Sequence, residues 1–213
     1  MKAVLFDLDG TLVNTLDDLA YAMNYALSFH GLPTHPVDDY RYFVGNGIHI
    51  LTERACADRK DMKERVEKTY AAYYSAHWNV YSKPYPNIIE TLKCLKEQKI
   101  KLCVFSNKPH ADTVHVIQYF FGKEIFDAVQ GQTEDMPIKP DPAGAKRLAK
   151  HLDVAEDQML YVGDSGVDMQ CAKRAGMHAT GALWGFRDRE ELLSNGAEIL
   201  LQQPLELLRY VAE

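Results

Sequence analysis

Short apolar runs alternate with amphipathic stretches along most of this chain. Residues 3–6, 100–105, 126–129, 159–162 and 178–183 are apolar or alternating and bounded by polar or turn residues, which predicts strands. Helical spacing lies between them. Ile88, Ile89, Leu92 and Leu95 follow Pro86, and Ala143, Ala145, Leu148, Ala149 and Leu152 follow Pro142. Met169, Ala172 and Ala175 form a third face, with Gly176 where a helix would end. Strand alternating with helix predicts an α/β fold, a Rossmann-like and mostly parallel sheet covered on both faces. Ligands of such sheets bind beyond the carboxyl ends of the strands.

One region breaks the alternation. From Thr15 to about Ser82 no strand pattern occurs. Leu16, Leu19, Ala20, Met23 and Leu27 mark a helix face, with Thr15 as N-cap, Asp17 and Asp18 in the first turn, and Gly31 and Pro33 at the exit. Further helices are predicted around 48–57 and 61–74. Residues 15–82 therefore read as a small all-helical domain inserted after the first strand, and residues 1–14 with 83–213 as the α/β core.

Composition narrows the function. Of 213 residues 46% are hydrophobic and 25% charged, a folded globular balance. The net charge of −6, with no basic run to offset it, argues against a nucleic-acid partner. Cys56, Cys94, Cys103 and Cys171 form no C-x-x-C pair, so reduced, packed thiols are expected. The apolar run at the start ends at Asp7, too short for a signal peptide, and no stretch reaches membrane-spanning length. A cytoplasmic protein with no membrane partner is expected, as a monomer or a homodimer.

The chemistry gathers at the strand ends. The first strand runs into Asp7 and Asp9, two carboxylates spaced i, i+2, and then Gly10. The second is followed by Ser106-Asn107-Lys108, the fourth by Gly163-Asp164-Ser165 and Asp168, and Lys139-Pro140-Asp141-Pro142 lies before the fourth strand. Carboxylates at the end of a buried strand are costly unless a cation uses their charge. A nucleophile, oxygen ligands for Mg²⁺ and lysines for phosphoryl oxygens are the inventory of phosphoryl transfer. Ser106 alone would be a turn or cap residue, and Lys139 alone a solvated lysine; together at this edge they read as phosphate ligands. Lys108 reads equally well as a substrate-facing or an exposed lysine. Asp141 fits a helix start, and Asp168 a support for the metal or for Lys139.

In order, D-x-D-G-T at 7–11, S-N-K at 106–108, K-P-D-P at 139–142 and G-D-S-x-x-D at 163–168 resemble the four motifs of the haloacid dehalogenase superfamily. The resemblance spans the whole chain, with the helical insert similar to that superfamily's small cap. It implies that Asp7 attacks phosphorus and forms an aspartyl-phosphate, while Asp9 acts as acid and then base. It further implies Mg²⁺ held by the Asp7 carboxylate, the Asp9 carbonyl and the Asp164 carboxylate. Ser106 and amides near Gly10 and Asn107 would bind the phosphoryl oxygens, and Lys139 would neutralise them. Asp9 argues for phosphate-ester chemistry, since the dehalogenase and phosphonate-cleaving branches lack an aspartate there.

The insert bears on the substrate, expected to be a small phosphorylated metabolite. Gly45-Asn46-Gly47 precedes the helix carrying Arg54, an amide-rich turn suited to a small anion or a plain helix-start turn. With Pro84-Tyr85-Pro86, this segment is similar to phosphoglycolate phosphatases, whose substrate ends in a carboxylate. Asn14 departs from the aspartate common there, at the linker into the insert. A sugar-phosphate mutase resembling β-phosphoglucomutase, a pyrophosphatase or a nucleotidase would share the core motifs, and a silent binding module would not need them.

Overall fold

The computed structural model describes residues 1–211. Its strands are β1 Ala3–Phe6, β2 Val13–Asn14, β3 Lys83–Pro84, β4 Lys101–Pro109, β5 Ala128–Gln132, β6 Met159–Gly163, β7 His178–Ala182 and β8 Ile199–Leu201. Six form one sheet in the order β5-β4-β1-β6-β7-β8, with every neighbouring pair parallel. The short β2 and β3 form a separate two-stranded sheet. The contacts divide the chain into two compact units, Asn14–Lys83 and the remainder.

The larger unit carries helices α5 Ile88–Glu97, α6 His110–Phe121, α7 Ala143–Leu152, α8 Gly166–Ala175 and α9 Arg189–Ser194. Alternation along the strands sends Leu5, Cys103, Phe105, Tyr161 and Ala179 to one face, where they join Ala145, Leu148 and Leu152 of α7 and Met169 and Ala172 of α8 in one buried cluster. Val4, Phe6, Leu102 and Val104 alternate with them and are also buried. Both faces are thus covered, which is why these strands read as nearly continuous apolar runs.

Strand β1 is the pivot of the sheet. From it the chain moves outward through β4 to β5, then returns to the other side of β1 as β6. The connections reverse direction beside β1, and in open parallel sheets such a reversal opens a crevice at the carboxyl ends. Residues 7–11, 106–108 and 163–168 all fall at this end.

Several boundaries differ from the sequence reading. Strand β4 continues to Pro109, so Ser106-Asn107-Lys108 lie within it, not beyond it; its pairing with β5 shifts register between Phe105 and Pro109. Strand β5 begins at Ala128, because Asp127 is occupied in accepting from Leu102 N at 2.7 Å. The edge strand β8 has no sequence counterpart: it is three residues long, only its last fully buried.

The Asn14–Lys83 unit contains α1 Leu16–Phe29, α2 Tyr40–Phe43, α3 Ile48–Cys56 and α4 Lys63–His77. Leu19, Met23 and Leu27 are buried along α1. Thr15 holds the N-cap position, yet the side-chain oxygen accepting at the helix start is Asn14 Oδ1, 3.3 Å from Leu16 N. Asp18 is buried and accepts from Tyr81 N, Ser82 N and Ser82 Oγ, the last at 2.7 Å. That carboxylate ties the end of the insert to its beginning. All four cysteines are unpaired thiols. Among the described residues, no helix is long and apolar enough to cross a membrane.

Candidate active site

Strand β1 delivers Asp7, whose N–H still bonds Val162 O of β6 at 2.9 Å. The chain then turns sharply: Leu8 O accepts from Thr11, Leu12 and Val13, and Gly10 N donates to Val13 O. Gly10 has φ +88°, and a Cβ there would lie 2.3 Å from Asp164 Oδ2. Only glycine fits both the backbone and the space.

Asp7, Asp164 and Asp168 converge, each buried, with one carboxylate oxygen apiece within 4.8 Å of the others. Lys139 Nζ lies 2.7 Å from Asp7 Oδ1 and 2.7 Å from Asp168 Oδ1, and donates also to Phe105 O. Asn107 holds the main chain of Lys139 from both sides, accepting from its N–H at 2.8 Å and donating to its carbonyl at 3.2 Å. The middle residue of S-N-K thus positions the lysine of K-P-D-P. Asp168 is fixed in turn by α8: its Oδ2 accepts from Ser165 N and Oγ, completing a capping box at the helix start. Tyr161 OH reaches its Oδ1 at 3.4 Å.

Asp164 is held by the last residue of the first motif and by a backbone group the sequence did not flag. Thr11 Oγ1 donates to its Oδ1 at 3.2 Å and Phe186 N to its Oδ2 at 2.7 Å. Trp184 Nε1 bonds Thr11 O, and a Cβ on Gly185 would lie 2.5 Å from Gly10 O. The segment after β7 therefore closes one wall. No motif marks it, and its partners lie more than 150 residues away for Thr11.

Asp9 stands apart from the trio. Its carboxylate pairs with Lys108 Nζ at 3.3 Å, and both side chains are largely buried. Lys108 is therefore a charge partner of Asp9 and not a solvated lysine. Ser106 is buried, and its Oγ accepts from Lys108 N at 3.2 Å. Asp141 caps α7, accepting from Ala143 N.

Burial raises the Asp7 pKa well above the carboxylate range, with Asp168 adding to the effect and Lys139 opposing it. Burial and then Asp168 push Asp164 up to about 7, against the Phe186 N–H and Arg187. Burial alone would lower Lys139, but the charges of Asp168 and Asp7 outweigh it and hold the ammonium above its ordinary value. Three carboxylates thus face one ammonium. A bound cation would relieve the excess negative charge, and an all-oxygen set beside a glycine cradle would suit a hard divalent metal.

In the Asn14–Lys83 unit, Gly45 and Gly47 adopt φ +114° and +82° just before α3, and Asn46 lies between them. Arg54 Nη1 donates to the carbonyls of Tyr42 and Phe43, stapling the preceding turn from within α3.

Comparison with known proteins bears on this arrangement. The haloacid dehalogenase-like hydrolase family profile matches residues 4–182. The phosphoglycolate phosphatase of Aquifex aeolicus (strain VF5) is 31% identical over 209 residues, 98% of this chain and 96% of that protein. That of Pasteurella multocida (strain Pm70) is 34% identical over 194 residues, 87% of each. A solved structure from Lactobacillus delbrueckii subsp. bulgaricus superposes with a TM-score of 0.94 at 29% identity, over 99% of this chain and 98% of that one. With the family motifs spread over β1, β4, β6 and the approach to α7, and the match running from the first strand to the fifth of the main sheet, the chain belongs to the haloacid dehalogenase-like hydrolases.

Proposed function

We propose that this protein is a cytoplasmic Mg²⁺-dependent phosphatase that hydrolyses a small phosphate monoester, 2-phosphoglycolate foremost, through an aspartyl-phosphate on Asp7. The observation that carries the reading is the convergence of the buried Asp7, Asp164 and Asp168 on Lys139 at the reversal point of the sheet. The names of its relatives, phosphoglycolate phosphatases at 31% and 34% identity, support the substrate.

Asp7 and Asp164, with the Asp9 carbonyl, are the groups to hold Mg²⁺, which when bound supplies positive charge for the phosphoryl oxygens. The Asp7 carboxylate attacks phosphorus, and the bond to the leaving oxygen breaks as Asp9 donates its proton to that alkoxide. Water then attacks the phosphorus of the aspartyl-phosphate and gives a proton to Asp9, and the Asp7 carboxylate leaves. Lys139 and Ser106 stabilise the charge on the transferring group, and Lys108 steadies Asp9. The helical unit acts as a cap, and the amides of the Gly45–Gly47 turn suit a substrate carboxylate.

A panel of small phosphorylated metabolites, assayed for phosphate release with Mg²⁺ and with EDTA, tests the proposal. 2-Phosphoglycolate should give the highest kcat/KM, and EDTA should abolish turnover. Release of phosphate to water, not transfer to a second sugar phosphate, separates hydrolysis from mutase chemistry. Gly47→Val should depress kcat/KM for 2-phosphoglycolate far more than for p-nitrophenyl phosphate; an equal fall would leave the turn a structural one.

A further inference from the structure

Two segments of the helical unit lack charge. Residues 19–37 and 69–82 contain no Asp, Glu, Lys or Arg, in a chain with 25% charged residues. A solvated helix face ordinarily carries many. The first segment contains most of α1 and the second the end of α4, and these two helices pack against each other.

Their outer surfaces carry an aromatic band. Tyr21, Tyr25 and Phe29 recur every fourth residue on α1, so they form one line along it. They are 47%, 44% and 67% exposed. Tyr25 stacks on Tyr73 of α4 with centroids 4.1 Å apart, and Tyr73 stacks on His77 at 4.0 Å. Tyr21 meets the exposed Tyr81 at 5.3 Å. The rings stack or tilt against one another, and a large part of Tyr21, Tyr25, Phe29 and Tyr81 still faces solvent.

From this band we infer that the protein is a homodimer joined through α1 and the end of α4, the aromatic face of one copy against that of a second. Exposed aromatics with charge depleted around them are the composition of an interface core, not of a solvated surface. A face without net charge has nothing to select an oppositely charged partner, and it matches itself. A line of rings along one helix also suits a two-fold axis, which pairs Tyr25 with its own copy and Phe29 with Tyr21. Half-exposed aromatic side chains of this number offer about 500 Å² per copy. That is above a scattered surface contact and toward the lower end of a specific interface, so association should be reversible. The inference does not depend on the catalytic reading.

Sedimentation velocity over roughly 1 to 100 µM, the range expected of a modest interface, tests it. The wild-type protein should pass from the 24.2 kDa monomer to twice that mass. The double variant Tyr25→Lys, Phe29→Lys should stay monomeric at the top concentration, with an unchanged far-ultraviolet circular dichroism spectrum. Tyr119→Lys, at another exposed aromatic, should dimerise as the wild type does. A wild-type monomer throughout, or a folded double variant that still dimerises, overturns the inference. If the double variant unfolds, Phe29→Ser alone should weaken dimerisation at least tenfold, and an unchanged constant would overturn it equally.

Discussion

Lys139 Nζ sits 2.7 Å from Asp7 Oδ1, and the two side chains are 2% and 9% exposed. The ammonium is the charge that opposes the burial raising the Asp7 pKa. Removing it leaves Asp7 and Asp168 without that partner in a low-dielectric site. Lys139→Ala should therefore cost about 3–5 kcal/mol of stability along with nearly all turnover. Urea unfolding at neutral pH checks the first; an unchanged midpoint would mean that the pair contributes little.

Asp9 and Lys108 form a second pair, separate from the acidic trio. Asp9→Asn should slow hydrolysis of alkyl phosphates by roughly 10²–10⁴-fold. The loss on p-nitrophenyl phosphate should be smaller, because its leaving group needs no proton. Equal losses on both substrates would remove Asp9 from the role of general acid.

Gly10 has no room for a side chain. With φ +88° and a Cβ that would fall 2.3 Å from Asp164 Oδ2, Gly10→Ala must strain the turn or displace the carboxylate. Backbone strain of this kind costs about 1–3 kcal/mol, and the displacement should weaken Mg²⁺ binding more than it lowers stability. Isothermal titration with Mg²⁺ against thermal unfolding separates the two; intact affinity would place Asp164 outside the metal site.

Without metal, pH should act through Asp164. Its folded pKa of about 7 lies above the ordinary value of 3.8, so between them the folded state keeps a proton that the unfolded state releases. Stability from this group is complete below pH 3.8 and is lost as pH rises through about 7. Asp7, also raised, acts in the same direction. Denaturation in EDTA should show lower stability at about pH 8 than at about pH 5, with Asp164→Asn flattening that difference. Mg²⁺ should restore stability at the higher pH, since it binds the ionised folded form.

The sequence made the frame and most of the site legible because both depend on local pattern. Four-residue apolar runs located β1 and β6, the mixed run 178–183 between turn residues located β7, and acids next to strand ends stood out because burial there is expensive. What stayed hidden depends on contacts between distant segments. Nothing near Asn107 indicates that its amide clamps Lys139, 32 residues away. Phe186 touches Asp164 through a backbone N–H, which any residue would supply, so its identity carries no signal. Strand β8 escaped for the opposite reason: three edge residues are too few to display a period.

Asp168 belongs to two structures at once. One of its oxygens fastens the first turn of α8 through Ser165, and the other steadies Lys139. The lysine, clamped at its main chain by Asn107, therefore takes part of its side-chain order from a helix end, the part of a helix that frays first. Heat that loosens this single turn should silence the enzyme while the sheet still stands. We expect the thermal midpoint of activity to fall below that of circular dichroism, and coincident midpoints would count against it. The upper working temperature of the enzyme would then be a property of one helical turn, decoupled from the melting of the fold that carries it.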